Sequence, residues 1–372
     1  MSQLNVDAIR ASNGTGDAIS LTASDKTCTA NITNIPGRNL IINGAMNVAQ
    51  RGTSSTSGGY QTVDRFQVSF GGTDEAPTQA QVDVAAGTTP YTLGFRKAYK
   101  LTNGNQTGGA GATDYLGIEH HVEAQNVTAS GWNYKSASSK LTLSFWLKSS
   151  VAQAFSGSIE APDTTSNKFF KFSTASLSAD TWTKVELQII GDSNLTINND
   201  TGTGLLIRLY GFIGTTHTSS NSDTKTWVSG TNRYADDMTS TWYTTNDSTL
   251  EMTGFQLEVG DYATDFEYKK YSDELKECRR YYYQAGVDDI NTSTEWIKLL
   301  LTRTGGLRNA NVMFRETMRA APTVTLTGQF DDGGATIVAG GIGIERCTFN
   351  QSTSSAAGDA PSVYYWTAAA EL

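Results

Sequence analysis

Histidine is almost absent from this sequence, with 3 among 372 residues. Metal centres and acid–base enzymes lean heavily on imidazole, so the scarcity counts against both. Cysteine is as rare: Cys28, Cys278 and Cys347 are far apart and odd in number. They make no disulfide framework and read as reduced thiols of a protein made in a cytoplasm. No stretch approaches 18 apolar residues, so no membrane insertion is expected. The opening MSQLNVDAIRASNG lacks both the basic and the apolar region of a secretory signal. Cations are in deficit too: 28 Lys and Arg against 37 Asp and Glu leave a net charge of −9. That balance argues against nucleic-acid phosphate as the main partner.

Charged residues of both signs reach only 17%, against about 25% in ordinary globular chains. Ser and Thr fill the gap, at 85 together. Their hydroxyls compete with helical backbone hydrogen bonds, so a chain polar in this way favours β-structure. Disorder is excluded by composition. Proline is only 6, while 7 Trp, 16 Tyr and 14 Phe supply large apolar anchors.

Residues 1–37 carry brief apolar pulses (Leu4, Val6, Ile9; Ile19, Leu21; Ile32, Ile35) between Gly/Asn/Thr turns. Such a segment cannot bury a core alone and needs another surface. Residues 38–271 read as one large β domain. Its strand candidates are 64–70, 79–84, 99–101, 115–122, 140–148, 155–160, 169–172, 183–190, 204–210, 225–228 and 250–259. Leu141, Leu143, Phe145 and Leu147 alternate with Thr142, Ser144 and Trp146, the period of a strand with one face in a core. Many short strands joined by polar turns predict an antiparallel jelly-roll sandwich, so the expected class is all-β.

Residues 272–284 read as a linker helix. Ser272 is its expected N-cap, Asp273 and Glu274 fall in the first turn, and Arg279 and Arg280 lie near the end. Residues 285–372 return to strands at 296–302, 312–314, 323–327, 336–338, 343–349 and 362–367, predicting a smaller C-terminal β domain.

Three stretches then become familiar. One is Asn39-Leu40-Ile41-Ile42-Asn43-Gly44-Ala45-Met46-Asn47-Val48-Ala49-Gln50-Arg51-Gly52, followed by Asp64-Arg65-Phe66. Another runs from Phe255 through Glu258, Tyr262 and Phe266 to Tyr268, and continues into Cys278-Arg279-Arg280-Tyr281-Tyr282. The third is Phe314-Arg315-Glu316-Thr317-Met318-Arg319-Ala320-Ala321-Pro322-Thr323-Val324-Thr325, with the terminal Trp366–Leu372. In this order they resemble tail-fibre-like structural proteins of tailed bacteriophages, particularly marine and cyanophage types. The opening Leu4–Ile9 also looks like fibre N-termini of such phages. The resemblance implies a homotrimeric virion appendage, made in the host cytoplasm, whose N-terminal segment docks on other tail or particle proteins. It further implies outward-facing β domains, the middle one similar to carbohydrate-binding jelly rolls, that contact host surface polysaccharide. It transfers no residue-level specificity.

Candidate chemistry is sparse. His120 and His121 are adjacent in a strand and point to opposite faces, so they cannot easily share an ion. The pairs Asp236-Asp237, Asp288-Asp289 and Asp331-Asp332 suit turns better than a calcium loop, and no EF-hand spacing is present. No nucleophile elbow, Walker loop, HExxH or CxxC occurs. Neither a metal nor a cofactor is expected.

The most suggestive feature is aromatic. Trp227, Tyr234, Trp242 and Tyr243, with Arg233, crowd a turn-rich stretch over 226–246. Sugar rings stack on aromatic faces, which makes these five residues the candidate glycan-binding set; a sandwich core or subunit interface would use the same rings. The expectation is a non-enzymatic tail fibre or receptor-binding appendage. A capsid or tail decoration protein and a glycan-depolymerising tailspike are the alternatives. The spike would need paired carboxylates and usually a long repetitive β-helix, of which no repeat is visible.

Overall fold

A computed structural model describes residues 8–10, 17–22, 27–30, 36–219, 225–229, 234–286, 297–298, 309–330, 336–351 and 362–372. Near the N-terminus, β1 (Ala8–Arg10), β2 (Asp17–Thr22) and β3 (Thr27–Ala30) form a small antiparallel sheet. Twelve sandwich strands follow: β4 (Ser54–Ser55), β5 (Phe66–Gly71), β6 (Thr78–Asp83), β7 (Lys97–Thr102), β8 (Tyr115–Glu123), β9 (Lys140–Ser149), β10 (Ser156–Ala161), β11 (Lys168–Ser173), β12 (Thr183–Ile190), β13 (Thr203–Ile213), then β15 (Trp227–Ser229) and β17 (Thr249–Val259). Between them lie short helices α1 (Thr89–Thr92), α2 (Ala124–Ala129) and α3 (Thr241–Thr244). β14 (Thr218–Ser219) and β16 (Ala235–Asp236) make a two-residue parallel pair outside the sheets.

The sandwich is an antiparallel jelly roll of two six-stranded sheets, ordered β15-β11-β10-β13-β8-β5 and β12-β9-β17-β7-β6-β4. Period-two patterning decides which side chains meet between them. Leu141, Leu143, Phe145 and Leu147 of β9 enter the core with Ile118, Ile159, Phe170, Ile207 and Leu209 from the other sheet. Thr142, Ser144, Trp146 and Lys148 must then look outward.

The helix after the sandwich, α4, spans Tyr271–Arg279, with Lys270 at its N-cap and no side-chain cap bond. It is therefore shorter than the expected 272–284, and Ser272 lies within it rather than capping it. The cause is downstream: β18 (Tyr282–Gly286) pairs with β24 (Ser362–Ala369), which pulls the backbone out of helix after Arg280. Nor is α4 a free linker, because Glu274 accepts a hydrogen bond from the buried Asn43 backbone N–H.

Beyond it, β24 also pairs with β19 (Ile297–Lys298) and β21 (Thr323–Phe330). β20 (Asn309–Met313), β22 (Ile337–Gly340) and β23 (Arg346–Gln351) form a second small sheet. These sheets enclose their own core around Trp366, which meets Tyr283 and Phe349 at 5.3 Å and Phe314 at 6.0 Å.

A buried polar network joins this core to the sandwich. Arg65 bonds Glu371, donates to the His121 carbonyl at 2.8 Å and lies 3.5 Å above the Tyr281 ring. Arg51 reaches Glu371 at 2.9 Å and Asp64 at 3.7 Å, and sits 3.6 Å above Tyr282. Glu123 receives Arg280 through two nitrogens, at 3.1 and 2.6 Å, and the Tyr281 hydroxyl at 2.7 Å.

Asp64 is fully enclosed here, and burial outweighs Arg51 and the Gln50 hydrogen bonds to raise its pKa to about 6. The folded protein thus holds this proton more tightly than the unfolded chain, whose carboxyl titrates near 3.8. The stabilising contribution is fully present below about pH 4 and is lost as pH rises through about 6. Denaturant melts of the wild type and Asp64→Asn across pH 4–7 should show the wild type losing about 1–3 kcal/mol relative to the variant over that window. A constant difference would mean that Asp64 stays ionised throughout.

Candidate ligand-binding face

Register builds one polar stripe across the outer face of the β5–β8–β13–β10–β11 side. Gln67 stands opposite Glu119, Glu119 opposite Arg208, Arg208 opposite Ser158, and Ser158 opposite Lys171. Their strand neighbours Val68, Ile118, Leu209, Ile159 and Phe170 fill the core, so the stripe faces away from it.

Arg208 is its central cation. The guanidinium donates to Glu119 at 3.1 Å and to Glu160. Gln67 gives Glu119 a further bond at 3.0 Å, and Asn167 gives Glu160 one at 2.6 Å. Burial works to lower the Arg208 pKa, but Tyr210 and the two carboxylates more than offset it, so the net shift is upward. Lys171 reaches Asp236 at 2.6 Å and the Ser219 hydroxyl at 3.0 Å, clipping the β14–β16 pair onto the sheet. Asp237 accepts from the Thr218 hydroxyl. Asp236 and Asp237 are therefore structural anchors; the pairs at 288–289 and 331–332 lie outside the described residues.

Aromatic rings close around the stripe. Tyr234 stands edge-on to Phe169 at 5.2 Å, with Arg208 5.5 Å from its ring centre and the His217 ring 6.1 Å away. His217 in turn meets Tyr115 edge-on at 5.8 Å. Tyr234, Arg208, His217 and Tyr115, together with Tyr210, Ser69 and Ile213, line an open cavity of about 260 Å³. His217 Nδ1 is buried there without a hydrogen-bond partner. The cavity thus offers flat apolar surfaces beside fixed donors and acceptors, a combination suited to a small polyhydroxylated ligand.

Among the residues singled out from sequence, Tyr234 alone lines this cavity. Arg233 lies outside the described residues. Trp227, Trp242 and Tyr243 are core residues, which corrects their assignment to a binding loop. Trp227 packs on Phe170 at 5.6 Å and donates to the Ile190 carbonyl at 2.6 Å. Trp242 donates to the Thr249 carbonyl at 3.0 Å, while Tyr243 stacks on Phe212 at 4.5 Å and bonds Asp114 at 3.3 Å. Rings so enclosed have no face to offer a sugar. Arg208, Glu119, Tyr115 and Tyr210 went unnoticed in the sequence. One signal was available: Arg208 is a lone charge inside the apolar run Leu205–Tyr210.

His120 and His121 do take opposite faces. His120 packs against Phe66 at 4.6 Å, and burial lowers its pKa well below the usual value. His121 meets the Thr203 hydroxyl at 3.0 Å, and burial together with nearby Arg65 and Arg208 pushes it down to about 3.

No family model and no curated protein matches the sequence. Among solved structures, the chain is similar to an arabinose-bound family GH51 α-L-arabinofuranosidase, at 7% identity and a TM-score of 0.32, over 62% of this chain and 26% of that one. It is similar to the enzymatically active domain of tailspike protein 4 of bacteriophage CBA120, at 11% identity and 0.31, over 62% and 24%. A third is the family 11 carbohydrate-binding module of cellulase Lic26A-Cel5E of Clostridium thermocellum, at 13% identity and 0.28, over 56% and 96%. The chain thus spans about a quarter of the arabinofuranosidase and tailspike structures. The expectation of a non-enzymatic protein is corrected at this point. A glycosidase and an enzymatically active tailspike domain stand among the similar structures, so the exclusion of enzymatic activity is withdrawn.

Core and cavity rings should respond differently to truncation. Trp242→Ala removes a fully enclosed indole and should cost about 3–5 kcal/mol in denaturant unfolding. Tyr234→Ala, at the cavity mouth, should cost about 1 kcal/mol or less. Equal losses would contradict this placement.

Proposed function

We propose that this chain is the subunit of a homotrimeric tail fibre or receptor-binding appendage of a bacteriophage particle, whose jelly roll binds host surface polysaccharide. The observation that carries the reading is the cavity in which Tyr115, Tyr210 and Tyr234 surround the Arg208–Glu119 pair. A pyranose presents a C–H face to an aromatic ring and hydroxyls around its edge; ring faces beside fixed polar groups complement both.

The phage setting rests on the resemblance carried by residues 39–52, 64–66, 255–282, 314–325 and 366–372. Residues 1–37, too poor in apolar mass to fold on a core of their own, are assigned to attachment on other tail or particle proteins. Virion localisation follows from the same reading.

Two measurements test it. Multi-angle light scattering of the full chain should give three times the 40.0 kDa monomer mass. A stable monomer or dimer would overturn the fibre assignment. Purified protein should also be retained on immobilised host envelope polysaccharide, and Tyr234→Ala should weaken retention at least fivefold. Loss of one stacking ring is worth about 1 kcal/mol per site, and linkage of three copies multiplies the effect. Absence of retention by the wild type would sink the glycan reading, and unchanged retention by the variant would remove this cavity from it.

A further inference from the structure

The opposite sheet carries a second cavity that the stripe does not explain. It measures about 430 Å³ and lies on the outer face around β9 and β17. Phe95, Phe266 and Tyr268 form a triangle of rings there, with centres 5.0, 5.4 and 5.0 Å apart and the Phe266 contacts near 70°. Trp146 of β9 lines the same space.

Burial grades across this cup. Phe95 is enclosed, Trp146 and Phe266 are half-buried, and Tyr268 is 51% exposed. Tyr268 is nevertheless fixed, since its hydroxyl donates to the Leu93 carbonyl at 2.5 Å. Gly254 supports the floor. It sits at φ +65° in the β17 bulge, where a Cβ would stand 2.6 Å from the Phe95 ring. Only glycine permits both that backbone and that close approach.

The rim is polar. Lys184 and Asp265 border the opening, and Lys184 pairs with Glu186 at 2.7 Å. Arg96 also lies close enough to act on Tyr268, so the lip carries both signs in balance, a field that selects neither an acidic nor a basic ligand. An interface between protein copies would instead exclude charge from its centre and present a flatter surface. A concave cup of fixed rings with charge at its lip suits a small neutral ligand that has apolar faces and hydroxyls.

We propose that this cup is a second glycan site, which takes a neutral pyranose unit against Trp146 and Tyr268 with its hydroxyls directed to Lys184 and Asp265. The inference rests on the glycan reading above and would give each chain two sugar sites on opposite faces of one sandwich.

The test uses the full-length protein on an array of neutral gluco-, galacto- and manno-oligosaccharides alongside polygalacturonate fragments. Five variants are compared with the wild type: Tyr268→Ala, Tyr268→Phe, Lys184→Ala, Tyr234→Ala and the Tyr234→Ala/Tyr268→Ala double. Tyr268→Ala should lower retention on neutral sugars at least fivefold, whereas Tyr268→Phe keeps the ring and should stay within twofold of wild type. Lys184→Ala, at an exposed position, should weaken neutral-sugar binding several-fold with an unchanged melting temperature. Tyr234→Ala should leave residual binding that the Tyr234→Ala/Tyr268→Ala double variant abolishes. Wild-type retention by Tyr268→Ala and Lys184→Ala, with loss in Tyr234→Ala, overturns the second site and leaves the first standing. Preference for polygalacturonate overturns the neutral-sugar assignment. A fall in sedimentation mass without change in sugar retention makes the cup a contact between copies and overturns the proposal. If the wild type retains no sugar, both sites fall together.

Discussion

The architecture depends on a carboxylate held between one buried and one partly buried guanidinium. Glu371 bonds Arg65 and Arg51, and each guanidinium is covered on one face by a tyrosine, Tyr281 and Tyr282 respectively. Charges so enclosed are tolerated only as a set. Deleting one partner from such a group costs about 3–5 kcal/mol, because the survivors remain buried and unmatched. Arg65 adds a backbone constraint, at φ +71°, in a region that side chains other than glycine rarely occupy. Its bonds to Glu371 and the His121 carbonyl and its stacking on Tyr281 hold the side chain in place there. Arg319 closes the same junction from the small domain, donating to the carbonyls of Thr201, Ala370 and Glu371. Sandwich and C-terminal domain are thus fastened by directional bonds, which fix their orientation more sharply than a greasy contact would.

The junction draws together stretches that are distant in the sequence. Asn43 bonds the backbone of Val48 and Asp64, which sets the loop that carries Arg51 and Arg65. Glu258 receives Thr264, and Glu267 receives the backbone of Asn39, so the segment after β17 is tied to the entry of the domain. Arg280 and Tyr281 bring Glu123 into the same assembly. Each recognisable motif supplies one part of a single three-dimensional joint.

Strands were legible in the sequence. All eleven sandwich segments read as strands occur, and 183–190 coincides with β12, whose exposure alternates residue by residue as a half-buried strand's must. What stayed hidden was set by tertiary contact. The two-residue β4 has no pattern to read. Tyr282–Gly286 follows a helical stretch without a break, and only pairing with β24 makes it a strand. Aromatic content misled the site search because composition does not say which way a ring points. Trp227 is one of three residues in a short edge strand, and Trp242 and Tyr243 sit on a single helical turn folded into the core. The cavity draws instead on Tyr115, Glu119, Arg208 and Tyr210, which come from two strands more than eighty residues apart in sequence and meet only through register.

The two outer faces show what a low-charge composition does to recognition. On one face Arg208 is matched by Glu119 and Glu160; on the other Lys184 is matched by Glu186. At both cavities the central or bordering cation is thus paired with a carboxylate, and the chain as a whole is acidic. Long-range steering therefore has little to work with on either face. Under the proposed glycan reading, discrimination comes at contact distance, from the fit of a ring against tyrosine or tryptophan and from hydroxyls bonding groups already fixed by their ion pairs. Such fixed groups lose little entropy on binding, but each single site remains shallow and weak. Affinity on that basis grows by repeating sites along one polymer rather than by strengthening any one of them, which is what the proposed trimer would present to a repetitive polysaccharide.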